Sequence, residues 1–257
     1  MAEKGALDPA LDIERSALLD GVAHGFFGSS GGVHQFGYGG PGDASAVRAM
    51  RIAAADAVLK GAPIVAPHQV HSPNVIRVDQ PWPDNPLDRP VGDALVTAQA
   101  GIALGIVTAD CGPVLFADSR AGVIGAAHAG WRGAHGGILG NTIAAMEELG
   151  ARREDMRAVL GPTIAQQSYE VDAGFRTNFT AADERHFAPA AEREGKARWH
   201  FDLPGYIIAA LEDAGIGHCA DLGRDTFAEA ERYHSYRRAS RSGAPNYGRQ
   251  ISVIALA

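Results

Sequence analysis

Two apolar runs of strand length, GPVLFAD and GVIGAAHAG, stand on either side of SRAG (Ser119–Gly122). No other stretch restricts the fold of the chain as tightly. Small and polar residues between two β-rich runs are turn chemistry, so the segment predicts a β-hairpin. A register set by that turn pairs residues whose numbers sum to about 241, within about two, and Cys111 with His128 falls inside that window. The two side chains are 17 positions apart in sequence and are expected side by side at the open end of the hairpin.

The rest of the pattern mixes helices and strands. SAVRAMRIAAADAVLK (Ser45–Lys60) reads as a helix capped by Ser45, with Val47, Met50, Ala54 and Val58 on one stripe. GGILGNTIAAMEELG (Gly136–Gly150) sets Ile138, Leu139, Ile143, Met146 and Leu149 on one face, with Gly150 as C-terminal cap. DLPGYIIAALEDAGIG has Asp202 as N-cap, Pro204 in the first turn and Gly215 near its end. APIVAPHQVHSPNVIRVD gives short strands broken by prolines, PWPDNPLDRPVGD a loop, and ALVTAQAGIALGIVTAD, MRAVLGP and RQISVIAL further strands. The glycine-rich stretch Gly25–Asp43 reads as a loop of tight turns. Strict βαβ alternation is missing, which favours α+β over a doubly wound sheet. With no linker, repeat or low-complexity tract, residues 1–257 are expected to form one domain.

Composition removes several classes of function. The 257 residues are 46% hydrophobic and 21% charged, an ordinary globular profile. Thirty acidic residues against 23 basic ones give a formal net charge of -7. A nucleic-acid or anionic-membrane binder shows the opposite balance. The opening MAEKGALDPALDIERSALLD is charged and lacks an apolar signal core, and no apolar run reaches the length of a membrane span. Two cysteines make no disulfide framework, so Cys111 and Cys219 are expected as thiols in a cytoplasmic protein.

Three side chains invite chemistry: His71 in HQVHSPNV, Cys111 in TADCGPV and His128 in AAHAGWRG. A thiolate and two neutral imidazoles suit Zn²⁺ and leave a fourth position for water or substrate, the pattern of a catalytic site. The spacings of 40 and 17 residues match no zinc finger. On residues alone, Cys111 is equally readable as a buried apolar thiol or a nucleophile activated by histidine, and His128 as a satisfied core histidine. His68 is a rival ligand, but three residues along a strand it would face the other side from His71. Cys219 sits beside His218 in a stretch that reads as loop. Arg237 and Arg238 in YHSYRRASRSG are either a solvated basic turn or an anion site, since guanidinium matches phosphate geometry. Copper-dependent phenol oxidation is disfavoured, because none of the ten histidines forms a His-x-His pair.

HQVHSPNV, DALVT, TADCGPVLFAD, AAHAGWRG, LGPTIAQQSYEV and SYRR…GRQIS occur in this order over most of the chain. Together they resemble the laccase-domain family, once called multicopper polyphenol oxidases and now described as purine nucleoside phosphorylases with adenosine deaminase activity. The resemblance implies an α+β fold in α/β/β/α layers, similar to the catalytic domain of cytotoxic necrotizing factor toxins. It implies that His71, Cys111 and His128 are both the catalytic residues and the ligands of Zn²⁺, with copper the lesser candidate. It implies phosphorolysis of adenosine, inosine, guanosine and methylthioadenosine, and deamination of adenosine in which water attacks C6. Purine nucleoside and phosphate would be the small-molecule partners, with Arg237, Arg238, Arg132 and Asp110 as substrate- or anion-binding candidates, and a monomer is expected. A peptidoglycan-editing role proposed for bacterial members keeps a cysteine-dependent hydrolase or amidase open, as it keeps a non-catalytic nucleoside-binding domain.

The sequence also departs from the family. Ser29 stands where the family carries an Arg ahead of Gly-Gly-Val, FGYGGPGD replaces Ser-Leu-Asn-Leu, Asp225–Phe227 replaces Cys-Thr-Tyr, and His234 is new in YHSYRR. The departures surround the three-residue core without touching it. The loss at Ser29 predicts weaker phosphate binding if that side chain faces the anion.

Overall fold

The computed structural model describes residues 10–257; the first nine residues of the charged opening stretch lie outside it. The chain runs β1 (Ile13–Glu14), β2 (Ala23–Phe27), α1 (Ala44–Val58), β3 (Ile64–Val65), β4 (Val75–Arg77), β5 (Ala94–Thr97) and β6 (Ala103–Thr108). There follow β7 (Gly112–Asp118), β8 (Val123–Ala129), α2 (Trp131–His135), α3 (Ile138–Glu148), β9 (Arg157–Leu160), β10 (Glu170–Asp172) and α4 (Ala173–Arg176). Last come β11 (Phe187–Arg193), β12 (Lys196–Phe201), α5 (Leu203–Asp213), β13 (His218–Asp221), α6 (Tyr236–Ser242) and β14 (Gln250–Ala255).

Two sheets face each other and a third stands beside them. One is β1-β2-β14-β6-β3 and the other β13-β9-β7-β8-β5-β4. Leu104, Ile106 and Ile254 from the first meet Leu95, Leu115, Ile124 and Ala126 from the second in a fully buried seam. The outer face of the first sheet is closed by α1, whose Ala54 and Ala55 pack with Phe27, Ile251 and Val253. The outer face of the second is closed by α3 and α5, whose Ile138, Ile143, Met146, Ile207 and Leu211 pack with Val114, Phe116 and Ala158. The order is therefore helix, sheet, sheet, helices. Near-continuous apolar strands such as GPVLFAD, buried at every position, follow from having one sheet face on each core. This is a mixed α+β fold.

The hairpin register agrees with the turn argument. β7 and β8 pair antiparallel with Asp118 opposite Val123 and Pro113 opposite His128. The helices fall where their stripes lie, with one correction at a cap. The carboxylate of Asp43, not Ser45, accepts the amides of Ser45 and Ala46 at the start of α1. An ionised carboxylate is the better partner for the positive end of a helix. Asp202 and Gly150 act as expected: Asp202 accepts from the amide of Gly205, and Gly150 takes φ +101 after α3.

Three further points differ from the sequence reading. Gly25 to Phe27, the start of the glycine-rich stretch, belong to β2 and pair with β14. Cys219 is not in a loop but in β13, parallel to β9 at the sheet edge. The sheet β10-β12-β11 has no counterpart in the apolar pattern, because most of its residues are partly or fully exposed. An aromatic cluster holds it to the body: Phe179 and Phe201 lie 4.9 Å apart between ring centroids, and Trp131 and Phe175 4.8 Å. Among the described residues, no helix is long and apolar enough to cross a membrane.

Candidate functional site

The open end of the hairpin meets the loop after β3, and there His71, Cys111 and His128 converge. Cys111 directly precedes β7 and His128 lies in the last turn of β8 pairing, opposite Pro113. The Cys111 Sγ and His71 Nε2 are 3.6 Å apart, and one ligand atom from each of the three residues lies within 4.8 Å of the others. The two imidazole rings are 4.7 Å apart between centroids. A tetrahedral ion with Zn–S about 2.3 Å and Zn–N about 2.05 Å holds such donors about 3.5 Å apart, so the sulfur–nitrogen pair is spaced for shared coordination. The donor set fits a soft-to-borderline divalent ion. His68 is not in this group, but strand alternation is not the reason: residues 69–71 leave the strand conformation, and His68 and His71 line one cavity.

A buried carboxylate that the sequence reading left without a role organises the cluster. Asp93, fully buried at the start of β5, accepts the His128 Nδ1–H at 2.8 Å. That bond fixes the tautomer, so Nε2 is the nitrogen left for coordination. Asp93 also accepts the backbone amides of Val70, His71 and Ser72 and the Ser72 hydroxyl. His71 needs this support. Its φ of +63 lies in the left-handed region, which costs a non-glycine residue about 1–3 kcal/mol unless its surroundings impose it. Gln69 adds a second anchor, its side-chain amide pairing with both backbone groups of Val107 at 2.7 and 3.0 Å.

Two more residues make room. A Cβ on Gly130 would lie 2.7 Å from Cys111 Sγ and 2.9 Å from His71 Cδ2. Asp110, at φ +83, turns the chain into Cys111. Its carboxylate accepts the Thr226 and Ser235 hydroxyls at 2.7 and 3.0 Å and the Arg237 amide at 2.6 Å. It therefore ties the site to the C-terminal third of the chain. Burial raises its pKa against those hydrogen bonds.

The electrostatics polarise the cluster. Burial pushes the Cys111 thiol up, but the His128 and His71 imidazoles outweigh it and bring the thiol below its ordinary value. Burial works against a charged His128, and the Cys111 sulfur with the Asp93 carboxylate outweighs it and raises that pKa. Asp93 is held far below the usual carboxylate range by His128 and Ser72, despite burial. Both shifts favour a thiolate beside an imidazolium when no metal is bound. Cys219, half-buried and without such neighbours, is pushed up by burial to about 11.

His71, Ala109 and Cys111 form a wall between two cavities. One, of about 150 Å³, is lined by Trp131, Arg132, Tyr169, Tyr236 and Arg237. The other, of about 220 Å³, also reaches His128 and is lined by His68, Arg89, Thr108, Tyr247 and Arg249. Of the four substrate candidates, Arg132, Arg237 and Asp110 border the first cavity. Arg132 stacks over Trp131 at 4.7 Å and Arg237 over Tyr169 at 5.0 Å. Arg238 borders neither: its guanidinium is turned onto the carbonyls of Thr226, Phe227 and Tyr233. Ser29 also borders neither. It is fully buried, its amide on the Arg232 carbonyl and its hydroxyl accepting from Gly32, so it does not face an anion in either cavity. Asp225 is spent on Ser168 and on the amides of Ala165 and Phe227.

The family model described as multi-copper polyphenol oxidoreductase laccase matches residues 23–257. The chain belongs to this family. Among its laccase-family relatives is the purine nucleoside phosphorylase of Deinococcus radiodurans, 44% identical over 191 residues, covering 74% of this chain and 68% of that protein. The purine nucleoside phosphorylase ORF3 of Streptomyces griseus is 40% identical over 243 residues, covering 89% and 94%. A solved structure from Neisseria meningitidis, of the same family under its designation DUF152, superposes with a TM-score of 0.80 at 30% identity over 96% of this chain and 98% of that one.

Proposed function

We propose that this chain is a metal-dependent enzyme of purine nucleosides, cleaving them with phosphate and deaminating adenosine, with zinc held by His71, Cys111 and His128. One observation carries the reading: a sulfur and two imidazoles converge at the wall between two cavities, in a chain whose relatives bear the name purine nucleoside phosphorylase. Zinc held by three protein ligands would supply Lewis acidity beside an open fourth position. Asp93 keeps the His128 ring oriented, with Nδ1 as its donor, so that Nε2 is the nitrogen presented to an ion. Trp131, Tyr169 and Tyr236 offer aromatic faces against which a purine can stack. Arg132 and Arg237 offer donors to its polar edge or ribose. In phosphorolysis a phosphate oxygen bonds to the anomeric carbon as the carbon–nitrogen bond breaks, and the base leaves with a proton. In deamination water adds at C6 and ammonia leaves.

The test is a panel of inosine, adenosine, guanosine and methylthioadenosine, assayed with and without phosphate on protein of measured metal content. Base release that requires phosphate and scales with bound zinc is the expected result. No turnover of any nucleoside by metal-loaded protein overturns the reading. The thiolate–imidazolium pair of Cys111 and His128 favours a second reading, a cysteine-dependent hydrolase or amidase acting through a covalent thioester. That reading requires activity in metal-free protein and a trapped adduct on Cys111.

A further inference from the structure

The larger cavity carries donors that the protein itself leaves unused. Arg249 enters it from the residue before β14, its guanidinium over the Tyr247 ring at 4.4 Å. That guanidinium donates to no group and pairs with no carboxylate among the described residues, and its Nη1 is buried without a partner. A Cβ on Gly37 would run into the Arg249 stem at 2.4 Å, so the fold reserves space for this side chain. Arg89 lines the same cavity and stacks on Tyr38 at 5.0 Å. It spends one nitrogen on the Pro67 carbonyl, and its Nε is buried without a partner. The carboxylate that acts on it electrostatically, Asp84, is already hydrogen-bonded by Arg51 and the Tyr38 hydroxyl. Thr108, 2% exposed, adds a hydroxyl with no partner, and His68 and His128 complete the rim.

Buried polar atoms are almost always satisfied, and several unsatisfied ones around a single cavity call for a ligand. Two guanidinium groups that form no ion pair among the described residues select its sign, in a chain whose net charge is -7. We propose that the cavity bounded by Arg89, Arg249, Thr108 and His68 binds a phosphoryl oxyanion. The inference rests on the nucleoside reading above only in naming free phosphate as the first occupant to test. The site lies across His71 and Cys111 from the aromatic cavity, so an anion there and a base opposite would flank the same cluster. It also replaces the Ser29 position as the origin of anion affinity.

The experiment is calorimetric titration of the full, metal-analysed protein with inorganic phosphate and, separately, with adenosine monophosphate. Binding of inorganic phosphate is expected, and Arg249→Gln and Arg89→Gln should each weaken it by about tenfold or more, the loss of one charge-assisted contact. Arg249→Lys should retain part of the affinity, and Thr108→Val should weaken it by a smaller factor. These two variants carry the test if a glutamine variant fails to fold, as judged by circular dichroism. If only the monophosphate binds, with the same arginine dependence, the occupant is a phosphoester and the site stands. Absence of binding to either, or affinity that ignores both arginines and disappears with the metal, overturns the proposal. Titration reads no turnover. Arginine-dependent phosphate binding without nucleoside cleavage would sink the proposed activity and leave this site; cleavage with arginine-independent phosphate affinity would do the reverse.

Discussion

At the scale of single residues, Gly130 and Asp93 decide whether the three donors can share an ion. Gly130 has φ -70 and ψ 164, a conformation open to any residue, so space rather than backbone freedom demands glycine there. Gly130→Ala should therefore leave the thermal midpoint near that of the parent while lowering metal affinity about tenfold or more, read by chelator competition. Asp93 is the harder case, because it serves both ring and backbone. Its folded pKa is depressed, so its stabilisation is fully present above the ordinary carboxylate value of about 4 and is lost as pH falls through the folded value. Asp93→Asn in metal-free protein should cost about 1–3 kcal/mol at pH 7 and flatten the loss of stability on acidification, measured by urea unfolding at a series of pH values. The sequence pointed to His71, Cys111 and His128 because a turn register and motif residues act locally. Asp93 escaped notice because it lies 35 residues from His128, and no local pattern separates a carboxylate that organises a site from one that begins a strand. Arg238 illustrates the converse: a guanidinium suits carbonyls as well as phosphate, and only the fold decides which it meets.

At the scale of elements, the strands were readable where both faces are buried and unreadable where one face is wet. β7 and β8 are buried throughout and apolar but for Asp118 and His128, and their register follows from four turn residues. β11 and β12 carry Glu192, Arg193, Lys196 and Arg198, so nothing in hydropathy marks them as strands; their aromatic anchors come from three separate segments. Cys219 looked like a loop residue because β13 is only four residues long and pairs at an edge with β9, 61 positions earlier. The two cysteines should behave accordingly. Cys111→Ala, at the mouth of the hairpin, should abolish metal retention with little change in the melting temperature, whereas Cys219→Ala should leave metal content as in the parent, both read by elemental analysis beside a thermal melt. α1 is fixed differently, through a charge. Arg51 in its middle is fully buried and bonds Asp84 through Nε at 2.6 Å and Nη2 at 2.9 Å. Asp84→Asn leaves that guanidinium without its counter-charge and should cost about 3–5 kcal/mol in denaturant unfolding.

At the scale of the whole molecule, sequence order and spatial order part company. β14 lies between β2 and β6, pairing with β6 along its full length and with β2 from Ile251 to Ala255, so a sheet begun near residue 23 is completed only by residues 250–255. A chain cut after Arg249 should show no cooperative thermal transition. The Asp110 carboxylate repeats the pattern, since its partners Thr226, Ser235 and Arg237 all lie more than a hundred positions downstream. On the ribosome, then, His71, Cys111 and His128 emerge with Asp93 and Gln69, which position them, but long before the partners of Asp110 and before β14, and the edges of β2 and β6 stay open to stray pairing in the interval. The donors and their nearest supports are thus synthesised as one block, while the frame that closes over them arrives only with residues 226–255.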